Sequence, residues 1–421
     1  MEAPGTDSAP RVRARSVFAL AAVVALVSAA GVGAQQPMRF DDVIRNLRHP
    51  EPKIRLNAVR LLREARYPES IVPLAPLVTD PLDQIQLEAI AAELSFFLVQ
   101  DVPERRRRAL IVEVRNRGGA ETAFQLGPLA VWPRPVPAEL ITALLKAVDD
   151  DNARVRFEAI YAAATIGKAP LPPDAEQLLI KALDHYDPEV RRGAALFAGR
   201  AGVKAASDAL IKLINDSSAE VRYASMRALG LLREERAIVA LSEQFKFYGK
   251  GEGAWSALDA LAHIAYPSSV PIFTERLADK DPNLRRAAAE GLGRAGDKSA
   301  IASLETGAGN DTSNVARAAM VYALQKLGRN YVPRLVEFLD DAQTAVQVQE
   351  YFLDLGAPVE KELLPSLQEP DASIRAAIAE VLGAIGGDAS LNALQRLQDR
   401  DKGVVDAARR AVERIKMRRA Q

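Results

Sequence analysis

Cysteine is absent from the 421-residue chain. That removes disulfides, thiolate nucleophiles, thiolate metal sites and a lipid-modified N-terminal cysteine. Histidine is nearly absent: His49, His185 and His263 are too far apart in sequence to form a metal-binding spacing. Charge of one sign is also lacking, because 55 Lys and Arg balance 55 Asp and Glu. Without a basic excess, nucleic acid is not an expected partner. Aromatics make up only 5% of the chain, and no nucleophile elbow occurs. The glycine-rich FYGKGEG at 247–253 has no preceding strand and no following Lys-Ser/Thr, so it reads as a long turn rather than a phosphate loop. No catalytic residue, cofactor or metal ligand is expected.

What is plentiful is small and aliphatic, with 48% apolar residues and 25 glycines, so the chain has ample material for a core. The stretch 279–297, DKDPNLRRAAAEGLGRAGD, is the clearest copy of a recurring pattern. Leu284, Ala288, Gly291, Leu292 and Ala295 fall on one face at about 100° per residue, which predicts a helix with a single buried stripe. Asp281 and Pro282 suit its start and Gly296 its end. One helix cannot bury that stripe alone, so its repetition implies a stack.

The first buried position of each copy is Ile54, Ile85, Val155, Val190, Val221, Gly253, Leu284, Ala316, Thr344, Ile374 and Val404. Apart from one interval of 70, these are 28–35 residues apart, the period of a helical solenoid. Twelve positions on stand Gly167, Gly202, Gly296, Gly328, Gly356 and Gly386, where helix C-termini want glycine. One position on stand Arg55, Arg156, Arg191, Arg222, Arg285, Arg317 and Arg375, with an acidic column in the preceding turns. The pairing predicts a ladder of salt bridges between neighbouring turns, broken at Ala254, Ala345 and Val405.

The pattern D-x-D-P-x-(V/L/I)-R-x-x-A-x-x-x-L-G, complete at Asp279 to Gly293, resembles HEAT-like repeats of the kind first described in phycobilisome bilin lyases. The resemblance implies an all-α fold, a right-handed α-solenoid of about eleven HEAT-like helix pairs, with second helices lining the concave side. It also implies protein binding or scaffolding. No lyase-specific motif accompanies it. The alternative of a bilin-lyase-like protein handling a tetrapyrrole is tested by the absorbance of the protein mixed with haem or bilin.

At the N-terminus, Arg11, Arg13 and Arg15 precede an apolar run, and small residues precede Gln35. Residues 1–34 are expected to be a signal peptide cut between Ala34 and Gln35, giving a periplasmic or secreted protein. An uncleaved Val17 to Ala34 would instead make a membrane-tethered adaptor. The solenoid is expected over 35–417, with a tail at 418–421; Lys416, Arg418 and Arg419 close the stack as a polar end. The segment 101–137, holding Arg105 to Arg108 and a proline-rich stretch, reads either as a divergent repeat or as an insertion.

On the helical wheel, offsets 2, 6 and 9 from each start point away from the buried stripe. In the middle repeats they present Phe157, Tyr161, Arg192, Tyr223, Arg227, Trp255 and Arg286, a composition typical of interface hot spots. These residues are the expected contact surface for a protein or peptide partner.

Overall fold

The computed structural model describes residues 39–100 and 119–421. The expected leader, its Ala34 and Gln35 junction, and Arg105 to Arg108 lie outside them.

Among the described residues eleven helix pairs follow one another, as the period predicts. Their first helices are α1 (Phe40–Asn46), α3 (Ile71–Leu74), α6 (Ala138–Lys146), α8 (Pro173–Ala182), α10 (Ser207–Leu213) and α12 (Ile238–Tyr248). They continue with α14 (Val270–Arg276), α16 (Ile301–Asn310), α18 (Val332–Glu337), α20 (Glu360–Leu363) and α22 (Asp388–Arg396). The second helices are α2 (Pro52–Ala65), α4 (Asp83–Phe97), α7 (Ala153–Ile166), α9 (Pro188–Ala201), α11 (Ala219–Leu231) and α13 (Gly251–Ile264). They continue with α15 (Pro282–Ala295), α17 (Asn314–Lys326), α19 (Ala345–Leu355), α21 (Ala372–Ile385) and α23 (Lys402–Arg419). One further helix, α5 (Gly119–Gln125), has no partner helix among the described residues.

Each second helix packs on the next, and ten of the eleven predicted start positions are buried; Ile54, in the first pair, is half-buried. The glycines stand just past helix ends, for two different reasons. Gly202 and Gly296 take the left-handed conformation, at φ of 79° and 75°. Gly167 is extended, and there a Cβ would lie 2.4 Å from the Phe197 ring.

The arginine ladder is present and spans neighbouring repeats. Arg55, Arg191, Arg285 and Arg375 each grip both oxygens of Asp80, Asp216, Asp311 and Asp399, one turn further along. Their remaining nitrogens donate to turn carbonyls of their own repeat, such as Asp279 and Lys280 for Arg285. Arg156 reaches Asp187 at 2.8 Å. Where the carboxylate is missing, Arg222 donates to the Tyr248 hydroxyl at 2.6 Å. FYGKGEG is therefore no long turn: α12 runs to Tyr248, α13 starts at Gly251, and only Gly249 and Lys250 connect them. Arg317 leaves the ladder, donating to the Ala308 carbonyl and Asn314. His49 and His185 occupy turn positions otherwise held by Asp, each accepting at Nδ1 from a backbone amide two residues on at 3.0 Å.

Offset 9 does not face outward. Gly199, Gly230, Gly293 and Gly383 occupy it, and a Cβ on any of them would lie 2.6–2.7 Å from the Cα of Ala228, Ala260, Ala323 or Ala411 on the next second helix. These glycines let backbones approach on the inner side and so draw the row of second helices into a tight curve.

The curve closes on itself. Arg414 of α23 donates to the carbonyls of Val131 and Leu129, 2.6 and 2.5 Å away, and its guanidinium lies 5.6 Å from the Trp132 ring centre. The last helix is thus a clasp rather than the free polar end expected from its sequence. The segment it holds is tied to the end of α4 by Trp132 N donating to Phe97 O and Val99 N to Ala130 O.

Candidate functional site

Inside the curve lies a cleft of about 970 Å³, walled by α9, α11, α13 and α15 and bounded by α5 and α19. Of the seven residues expected on the partner surface, Tyr161, Arg192, Tyr223, Arg227 and Arg286 line it, while Phe157 and Trp255 do not. Only Arg227 is fully exposed. Tyr161 is buried, because Phe157 and Phe124 pack on its ring at centroid distances of 4.7 and 6.0 Å. Trp255 turns its indole N–H to Asp281 at 2.6 Å and braces the capping residue of α15. Arg286 is not free either: it holds both oxygens of Asp259, at 2.7 and 2.8 Å, and Glu290 at 2.8 Å. The wheel thus placed five of the seven on the cleft wall and gave no information about what covers them.

The floor of the cleft is a charged network that the residue pattern did not reveal. Glu290 accepts from Arg286, from Arg294 at 3.1 Å and from the Tyr351 hydroxyl at 2.6 Å. Burial works against ionising Glu290, but Arg286 and Arg294 outweigh it and hold the carboxyl down at about 2. Asp354 lies beside Tyr322, Arg294 and Lys326, and Tyr322 stacks on Tyr351 with centroids 4.2 Å apart. His263 faces this cluster. Its burial, with the Arg294 charge adding to it, lowers the imidazole to about 4 and keeps it neutral near pH 7. No group of His, Asp and Glu suited to a metal ion occurs among the described residues.

The network forms because α19 leaves the regular row and leans inward. Its repeat has the shortest interval, 28 residues from Ala316 to Thr344, and a first helix of only six residues. It also lacks the ladder arginine, which is Ala345 here. With α19 tilted in, Gln347 donates to the Val315 carbonyl at 3.0 Å.

Above this floor the wall is less occupied. Arg200 of α9 and Arg227 of α11 face the cleft, and neither forms an ion pair with a described residue. Arg200 donates to the Phe124 carbonyl at 3.0 Å, with its guanidinium 4.8 Å from that ring. Burial, with Arg227 nearby, lowers it to about 10. Tyr223 stands half-buried beside Arg227, edge-on to Tyr248 at 5.8 Å.

Stacked helix pairs with a continuous core and a polar inner wall define an all-α solenoid. The middle of the chain carries HEAT repeats: the family model described as HEAT repeats matches residues 175–246 and 251–325, the stretch from α9 to α17. Among solved structures, an engineered protein is 20% identical over 90% of this chain and 98% of its own, with a TM-score of 0.38. The phycocyanin lyase complex of CpcE and CpcF from Nostoc sp. PCC7120 is 17% identical over 78% of this chain and 98% of its own, with a TM-score of 0.35. A designed armadillo repeat protein is 18% identical over 60% of this chain and 98% of its own, with a TM-score of 0.32. No curated protein matches the chain.

Proposed function

We propose that this chain is a non-catalytic, exported scaffold or adaptor that takes a partner protein or peptide along its concave face. The observation that carries this reading is the roughly 970 Å³ cleft in which Tyr223 and Arg227 face the opening while the wall beneath them is locked in ion pairs. Tyrosine and arginine on a preformed concave wall supply contact area and directional donors at little entropic cost. A carboxylate held at about 2 by two guanidiniums, as Glu290 is, acts as a fixed counter-ion and not as a proton donor near neutral pH. Export rests on the leader-like residues 1–34, and membrane attachment arises only if Val17 to Ala34 is retained. No helix among the described residues is long and apolar enough to cross a membrane.

The test is partner capture from the cell envelope by the full chain, compared with the Tyr223→Ala, Arg227→Ala double variant. Trp255 is left intact because its indole supports Asp281. Loss of the captured partner at unchanged melting temperature supports the reading; undiminished capture counts against it. Mass measurement of the mature N-terminus decides whether the chain starts at Gln35.

A further inference from the structure

The inner wall already holds a short helix, and the way it does so indicates what else it can hold. Helix α5 is seven residues long, too short to persist alone in water. It lies on α7, where Glu158 accepts from the Gly119 and Ala120 amides at 3.1 and 3.0 Å. Its Glu121 pairs with Arg192 at 3.5 Å. Three positions on, Phe124 lies between Tyr161 and the Arg200 guanidinium. Leu126, just beyond it, is 52% exposed. Gly127, at φ 80°, joins α5 to the segment clasped by Arg414.

We infer that Glu158, Tyr161, Arg192 and Arg200 form a receptor patch for a short helical segment bearing an acidic residue and an aromatic three positions later. Helix α5 is its occupant within the chain, and a partner segment of the same chemistry binds there in its place. The inference rests on the concave face being a binding wall. A partner segment has a physical advantage over α5. Extended along the groove, it reaches Arg227 and Tyr223, which α5 leaves uncovered. The Glu121–Arg192 contact that it must replace is longer than the 2.7–2.8 Å pairs of the structural ladder.

The probe is a fluorescein-labelled, N-acetylated peptide of sequence GAETAFQLG, matching residues 119–127, titrated by fluorescence anisotropy against the full chain. Glu121→Gln with Phe124→Ala loosens α5. The loosened chain is expected to bind the peptide at least tenfold more tightly than the unaltered chain. Adding Arg192→Ala, or replacing the peptide's glutamate by glutamine, should abolish the gain. Equal affinity in the loosened and unaltered chains, or no binding to either, overturns the inference. If the double change lowers the melting temperature, Glu121→Gln alone carries the test, with a smaller gain expected in the same direction. Tyr223 and Arg227 lie outside the patch, so capture lost in their double variant sustains the broader reading even when the peptide fails.

Discussion

The hydroxyl of Tyr351 on α19 donates to Glu290 of α15 at 2.6 Å across 61 positions of sequence, passing over the repeat between them. This bond makes α19 part of the inner wall and places a buried carboxylate where Arg286 and Arg294 neutralise it. Glu290→Gln leaves two guanidiniums without their shared counter-charge and should cost about 3–5 kcal/mol. Tyr351→Phe removes one charge-assisted hydrogen bond and should cost about 1.5–3 kcal/mol. Urea unfolding of both variants checks the order; equal stability of Glu290→Gln and the unaltered chain would refute the assignment.

His263 predicts acid sensitivity. Its folded value of about 4 lies below the ordinary 6.5, so the unfolded chain binds the proton more readily. The stabilisation is complete above pH 6.5 and is lost as pH falls toward 4, to a limit of roughly 3 kcal/mol. Glu290, at about 2 against an ordinary 4.5, adds a second loss between pH 4.5 and 2. Stability measured against pH should show the first phase vanish in His263→Gln and the second remain.

The inner glycines should tolerate nothing larger. In Gly230→Ala and Gly293→Ala the new Cβ meets the backbone of Ala260 or Ala323, which cannot rotate away, and each change should destabilise by about 1–3 kcal/mol or more. Gly309, within α16 and with no heavy atom near its missing Cβ, behaves oppositely. Gly309→Ala should stabilise by about 0.5–1 kcal/mol. Thermal melts of the three variants make the comparison.

Glu93 is 1% exposed at the offset where the best-formed repeat, α15, carries core Leu292, and neither carboxyl oxygen has a hydrogen-bond partner among the described residues. Burial raises its carboxyl well above the ordinary range, so the folded chain favours the protonated form. Its contribution worsens as pH rises above 4.5 through the folded value. Glu93→Leu should stabilise by about 1–3 kcal/mol near neutral pH and by less in acid, measured by chemical unfolding at two pH values.

The start of each second helix and the arginine ladder were legible in the sequence because both recur with the repeat, and stacking turns each recurrence into a contact between neighbours. What escaped is long-range. Arg414 reaches Val131 across 283 positions, Tyr351 reaches Glu290 across 61, and α5 covers Tyr161 from outside the repeat pattern. None leaves a periodic trace. The close-packing glycines were visible as the Gly of the L-G pair, but a wheel drawn for one helix assigns their column to solvent. Only a second helix at contact distance shows why Gly199 and Gly293 carry no side chain. The short interval before Thr344 and the missing ladder arginine at Ala345 were the local signs that α19 would depart from the row.

Site-directed photo-crosslinking tests the binding wall most directly. A benzoyl-phenylalanine placed at Arg227, inside the cleft, is compared in the cell envelope with the same group at Val239, which is 70% exposed. The account predicts a discrete crosslinked partner from position 227 and none from 239. Crosslinks from 239 alone, or from neither position, would contradict it.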